Sequence, residues 1–210
     1  ISFIIFHCIS YLADQKDREL SVDLLEQNSL DHFIDFSFYI LYFPKLIQGP
    51  IVPYKEMYLK GREIKPSLKD SVYGLERIII GLSKKVLIAD YFGKVLATIY
   101  EKPAIDNLTS WLVVVLFAMQ LYLDFSGYSD IAIGISSIFG IHLNENFNFP
   151  YLSNSITEFW RRWHVSLGAW FRKYVYIPLG GNRTGNVYFN LMIVFILTGL
   201  WHGNSIRFLL

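Results

Sequence analysis

Apolar residues lie along this chain in blocks separated by short polar stretches, not at the even spacing of a half-buried soluble chain. Residues 1–12 form an apolar run that predicts the remnant of a spanning helix. Residues 14–35 are polar, carry Asp, Lys, Arg, Glu and Asn, and predict a loop with a short amphipathic helix. Residues 36–47 are apolar and aromatic, but shorter than the about 20 helical residues that cross a bilayer core. The prolines of Gln48-Gly-Pro-Ile-Val-Pro53 end that run, because proline breaks a helix, so it predicts a re-entrant or interfacial helix. Residues 54–70 are basic and read as solvated. A helical pattern over residues 72–100 is interrupted by Arg77, Lys84, Lys85, Asp90 and Lys94, which predicts an amphipathic helix at the interface or lining a cavity. Residues 108–141 carry the strongest membrane pattern, and 111–123 hold no charge.

Ser155-Ile-Thr-Glu158 has the spacing of a capping box, in which a Ser hydroxyl and a Glu three residues on satisfy the first N–H groups of a helix. That helix is expected to run through Phe171 or beyond. Gly180-Gly-Asn-Arg183 predicts a loop, and residues 187–201 a further apolar helix. There is no internal repeat or low-complexity segment. The pattern predicts an all-α, polytopic membrane protein, with residues 1–210 forming one membrane-embedded domain.

Composition supports this reading: 53% of the 210 residues are hydrophobic, 17% aromatic and only 18% charged, against about a quarter charged in ordinary soluble domains. Mean hydropathy is +0.34. The chain opens without Met inside an apolar run and closes as another begins, so it is expected to be an internal stretch of a longer polytopic protein. No Lys or Arg occurs between residues 103 and 160, while basic residues crowd both flanks. The positive-inside bias then puts both flanks on the cytoplasmic side. A net charge of +1 gives no basis for nucleic-acid binding, and the single Cys8 excludes an internal disulfide or a cysteine zinc site.

Polar residues within apolar runs are costly and mark cavities or sites. His202 follows such a run in Thr198-Gly-Leu-Trp-His-Gly203. Histidine titrates near neutral pH and can take a proton from an attacking hydroxyl; spacing equally fits an interfacial histidine hydrogen-bonded beside a belt tryptophan. His164, on the expected Ser155 helix, shares a face with Trp160, Leu167 and Phe171 at helical spacing, which by itself fits a packed histidine. Trp160, Trp163 and Trp170 are expected to anchor that helix at headgroup level. Arg161 and Arg162 fit either an anionic donor, such as coenzyme A phosphates, or lipid phosphates. Asp124 and Asp130 lie six residues apart and diverge by about 240° on a helix, so salt bridges fit them better than a carboxylate dyad. Gly127-Tyr-Ser129 lacks the second glycine and the preceding strand of a nucleophile elbow. His142 and Glu145 lack a third metal ligand at sensible spacing, His7 and His32 have no partner in the sequence, and Lys84-Lys85 reads as a positive anchor at the membrane surface.

Taken together, several motifs resemble the membrane-bound O-acyltransferases, and more closely their alginate O-acetyltransferase branch. They are Ser155-Ile-Thr-Glu-Phe-Trp-Arg-Arg-Trp-His-Val-Ser-Leu167, Trp170-Phe-Arg-Lys-Tyr-Val-Tyr-Ile-Pro-Leu-Gly-Gly-Asn-Arg183 and Leu200-Trp-His-Gly203. Leu121-Tyr-Leu-Asp-Phe-Ser-Gly-Tyr-Ser-Asp-Ile-Ala-Ile-Gly134 and Phe43-Pro-Lys-Leu-Ile-Gln-Gly-Pro50 fit the same branch. The resemblance implies an acyltransferase-like helical core with a tunnel through the membrane. It makes His202 the family histidine and His164 the second family polar residue. It implies no permanently bound cofactor, acetyl-coenzyme A or a similar acyl thioester as donor, and delivery of acetyl to a hydroxyl. The acceptor expected by analogy is an exported polysaccharide such as alginate, reached directly or through an extracytoplasmic acetyltransferase, with the protein multi-pass in the inner (plasma) membrane. Pro178-Leu-Gly-Gly-Asn-Arg183 favours this branch over D-alanyl transfer. D-alanyl or longer-chain acyl transfer, and a non-enzymatic transporter or proton relay, are the competing readings.

Overall fold

The computed structural model describes residues 2–17, 20, 27–62 and 64–203, and no strand occurs among them. The helices are α1 (Ser2–Asp14), α2 (Ser29–Leu41), α3 (Tyr54–Arg62), α4 (Leu68–Leu82), α5 (Asp90–Tyr100), α6 (Asn107–Ile138), α7 (Ile156–Arg162), α8 (Val165–Phe171) and α9 (Val187–His202). Short 3₁₀ turns lie at Phe43–Lys45 and Pro150–Leu152, and π turns at Ser83–Ala89 and Arg172–Tyr176. The chain divides into two compact units.

One unit comprises Tyr42–Pro50 and Lys60–Phe147. Its axis is α6, the one helix among the described residues long and apolar enough to cross a bilayer core; α1 and α9 are apolar but shorter. Asp106 caps α6 by accepting from the Thr109 N–H at 2.7 Å. Helix α4 lies antiparallel against α6 on paired glycines. A Cβ on Gly74 would sit 2.5 Å from the Gly134 carbonyl oxygen, and one on Gly81 would sit 2.5 Å from that of Gly127. Both pairs repeat every seven residues, which returns each glycine to the same helix face. Small residues at such a seam let two backbones approach closely where lipid gives no hydrophobic force between helices.

The charges interrupting residues 72–100 are held at this interface. Asp130, 6% exposed, pairs with Arg77 and, at 2.6 Å, with Lys84. Arg77 also grips Glu145 bidentately at 2.7 and 2.9 Å. Lys85 meets Asp124 at 2.6 Å and Asp90 at 2.7 Å. The salt bridges expected of Asp124 and Asp130 are therefore present, whereas the reading of Lys84 and Lys85 as a surface anchor is corrected. Both lysines lie in the π turn and reach carboxylates on α6, Lys84 to Asp130 and Lys85 to Asp124. Helical structure across residues 72–100 holds, with this π turn as the unforeseen feature.

The other unit comprises Ile1–Leu41, Ile51–Leu59 and Asn148–Leu210. Phe3, Phe6, Ile51, Leu167, Trp170 and Phe171 form its core. Three expectations change here. Residues 54–70 are not simply solvated, because Tyr54, Met57 and Tyr58 bury the inner face of α3. The apolar helix expected from residue 36 begins at Ser29, with Asn28 accepting from the Asp31 N–H at 2.9 Å. The helix from Ser155 does not reach Phe171; it stops at Arg162 and restarts at Val165. The loop and short amphipathic helix expected within 14–35 lie partly outside the described residues. Gly180 and Gly181 turn the chain with φ of 104° and 55°, as expected of a loop.

The glycine seam carries a direct test. Gly81→Val forces a side chain into the facing backbone and should destabilise the full-length protein by about 1–3 kcal/mol. Gly93→Ala, where an added Cβ meets nothing within 4 Å, should be neutral or stabilising. Thermal unfolding in detergent checks both; a Gly81→Val protein melting like wild type would remove the seam from the account.

Candidate active site

Two short helices and the end of a third build the site. Ser155 caps α7, its hydroxyl accepting from the Glu158 N–H at 3.1 Å. The Glu158 carboxylate reaches back to the Asn154 N–H at 2.8 Å, one residue earlier than a capping box requires. In a continuing helix the Arg162 carbonyl would receive the Ser166 N–H. It instead receives the Asn148 N–H at 2.9 Å, so the ladder ends there. The chain then turns through His164 in the left-handed region (φ 44°, ψ 52°) before α8 begins. A left-handed non-glycine residue costs about 1–3 kcal/mol and persists where its surroundings over-determine it.

The turn also redirects the side chain. His164 does not share a helix face with Trp160 and Phe171, because no single helix spans them. It is buried, at 5% exposure, with its ring edge-on to Trp201 at 6.2 Å. Burial lowers its pKa to about 3, and His202 acts in the same direction when it is protonated. The imidazole is held neutral.

His202 ends α9, directly after Trp201, whose ring centroid lies 4.6 Å from its own. Its Nδ1 lies 2.8 Å from the Thr198 carbonyl oxygen. A carbonyl only accepts, so Nδ1 carries the proton and the neutral ring presents its Nε2 lone pair. His202 is exposed, unlike His164. The structure thus brings the two histidines together around Trp201: one neutral and buried, one exposed with its tautomer fixed.

The two arginines have different surroundings. Arg162 is taken by Glu158 at 2.6 Å and reaches the Asn148 carbonyl at 3.4 Å, while Arg161 is exposed. Trp160 is exposed and Trp163 half-buried, but Trp170 is only 4% exposed, so it is a core residue and not a headgroup anchor. His7 is wholly buried against Tyr39 at 5.3 Å, and the Tyr11 hydroxyl meets His32 at 2.9 Å. His142 lies 3.6 Å from Asp70, and no group of metal-ligating side chains occurs among the described residues.

Ser10 and Asp14, on α1, are the residues the sequence reading passed over. The Ser10 hydroxyl accepts from the Trp170 indole N–H at 2.8 Å. Buried Asp14 accepts from Tyr174 at 2.8 Å, from Lys173 at 2.7 Å and from the Lys55 N–H at 3.0 Å. A signal existed: Phe3, Phe6, Ser10 and Asp14 recur at three- and four-residue intervals, one face of a helix.

The family follows from comparison with known sequences: the chain belongs to the membrane-bound O-acyltransferase family, whose model matches residues 8–210. Among curated relatives it is 41% identical to the probable alginate O-acetylase AlgI of Pseudomonas putida, across all of this chain and 42% of that protein. It is also 41% identical to the peptidoglycan O-acetyltransferase of Helicobacter pylori, over 87% of this chain and 36% of that protein. Identity to the teichoic acid D-alanyltransferase of Bacillus subtilis is 32%, over all of this chain and 55% of that protein. The chain therefore spans roughly two-fifths to half the length of these relatives.

The neutral His164 has a pH consequence. Its folded pKa lies below the about 6.5 of an unfolded histidine, so on acidification the unfolded chain takes up the proton first. Its contribution to stability is complete above about pH 6.5 and drains as pH falls toward the folded value. The melting temperature of the full-length protein should drop between pH 6.5 and 5. His164→Asn, which cannot charge and tolerates the left-handed backbone, should flatten that slope; an equally steep slope in the variant sinks the assignment.

Proposed function

We propose that this chain forms the catalytic core of a membrane O-acyltransferase that moves acetyl from a thioester donor to a hydroxyl of an exported polysaccharide. The observation that carries this reading is His202, whose Nε2 lone pair is fixed by the Thr198 hydrogen bond beside a neutral His164. In the reaction the acceptor hydroxyl attacks the thioester carbonyl carbon. A C–O bond forms and the C–S bond breaks. His202 Nε2 takes the hydroxyl proton and passes it to the departing thiolate. His164, neutral at working pH, orients the acceptor by hydrogen bonding or shares that proton.

The donor is acetyl-coenzyme A or a similar thioester, and no resident cofactor is invoked. Arg161, exposed and outside the Glu158 pair, meets the donor phosphates, and Arg162 steadies that end of the helix. The protein sits in the inner membrane as a multi-pass chain, with α2 (Ser29–Leu41) as the re-entrant or interfacial segment. Acetyl leaves on the outer side, to the polysaccharide itself or to an extracytoplasmic acetyltransferase. The alginate and peptidoglycan O-acetyl relatives favour acetyl; the D-alanyltransferase relative keeps D-alanyl transfer as a second reading.

His202→Ala in the full-length protein should lose about 10²–10⁴-fold in acetyl transfer, the usual worth of general acid–base assistance. Wild-type turnover in that variant would falsify the assignment. Arg161→Ala should raise the KM for the donor several-fold and leave kcat unchanged. Labelled acetyl-coenzyme A and a labelled D-alanyl thioester, offered in turn, separate the two donors. Uptake of label without covalent transfer points to a transporter instead.

A further inference from the structure

Both histidines of the site are carried on segments that have no backbone continuity near one another, yet each is anchored to the same face of α1. His164 directly precedes helix α8, which ends against α1. The Trp170 indole N–H donates to Ser10, and Tyr174 and Lys173, in the following π turn, donate to Asp14. On the other side, Trp201 packs edge-on against Phe3 at 5.9 Å and tilted against Phe6 at 5.6 Å; His202 is the next residue. Phe6 also lies 4.4 Å from Trp170, so the two anchors meet on one ring.

Asp14 is the charged member of this set and is only 4% exposed. A buried carboxylate needs its partners, and here they come from two places: Lys173 and Tyr174 beyond α8, and the N–H of Lys55 in the first turn of α3. The last also places a negative charge at a helix N-terminus, which the helix dipole favours. Moving α8 along α1 would break the ion pair and the tyrosine hydrogen bond at once. Breaking them would strand the Asp14 carboxylate, which is 4% exposed although Lys173 itself is open to solvent, and an unpartnered buried carboxylate is costly.

We infer that Asp14 is a positioning residue for acyl transfer, acting through Tyr174, Lys173 and α8 to hold His164 in register with Trp201 and His202. The inference rests on the function proposed above. Asp14 acts through its partners Lys173 and Tyr174 and takes no part in proton movement. A displacement of about 1 Å at a reacting group can cost on the order of 10²-fold, so loosening the anchor is expected to appear in turnover before it appears in binding.

The experiment is a double-mutant cycle in the full-length protein, with acetyl transfer as the readout. Asp14→Asn should lower kcat by about ten- to a hundred-fold and leave the KM for the donor unchanged. Asp14→Glu should recover part of the loss. In a His164→Asn background, Asp14→Asn should add little, because the residue it positions is gone. Tyr174→Phe removes one hydroxyl donor and keeps the ring, and repeats the cycle if Asp14→Asn fails to fold; its loss should likewise vanish in the His164→Asn background. Multiplying losses in the double variant, or wild-type kcat in the single ones, overturns the inference. A His202→Ala control separates the two proposals. If that variant is inactive and the cycle is multiplicative, only the role of Asp14 falls. If it is fully active, the catalytic reading itself falls.

Discussion

The left-handed backbone at His164 is the constraint on which the site depends. It ends one helix and starts another, so one surface can carry Arg161 and Arg162 while the next buries Trp170 and Leu167. Without the turn, a single helix from Ser155 would place His164, Trp160 and Phe171 on a common stripe. The Asn148 N–H sets the turn by occupying the Arg162 carbonyl, and the core around Trp170 holds it. A strained residue at the convergence of two histidines is the kind of outlier that marks functional sites.

The second unit solves a different problem. Charges carried on an apolar helix of spanning length are costly unless they find one another. Asp130 does so through Arg77 and Lys84, and Asp124 through Lys85. Those pairs sit beside the glycine seam, whose close backbone approach brings α4 side chains within reach of α6. Thus the small residues of α6 serve two ends: contact between helices and access for cations.

Much of the architecture was legible in the sequence because it rests on local signals. The apolar block of α6, the cap at Ser155, the glycine loop at Gly180 and the apolar run of α9 all follow from patterns spanning a few turns. What escaped was set by distant partners. The helix break at His164 depends on Asn148, fourteen residues before Arg162, and no propensity encodes it. Asp14 looked like the first residue of a polar loop, because its partners Lys173 and Tyr174 lie near the far end of the chain. Lys84 and Lys85 read as a surface pair because their partners Asp130 and Asp124 lie on another helix. For the site, spacing left His202 balanced between two readings; the Thr198 hydrogen bond gives it a defined tautomer, and its exposure sets it apart from His164. The two arginines look alike in the sequence, and the Glu158 pair gives Arg162 surroundings that Arg161 lacks.

The seven-residue repeat of the glycine pairs limits how this part of the chain tolerates change in length. One residue inserted between Gly74 and Gly81, or between Gly127 and Gly134, would rotate one glycine about 100° off the seam and bring a side chain against backbone. The π turn at Ser83–Ala89 lies just beyond the seam and already winds more residues per turn than an α-helix. Length variation among related chains should therefore collect at that turn and in the loops, while the two glycine intervals stay fixed.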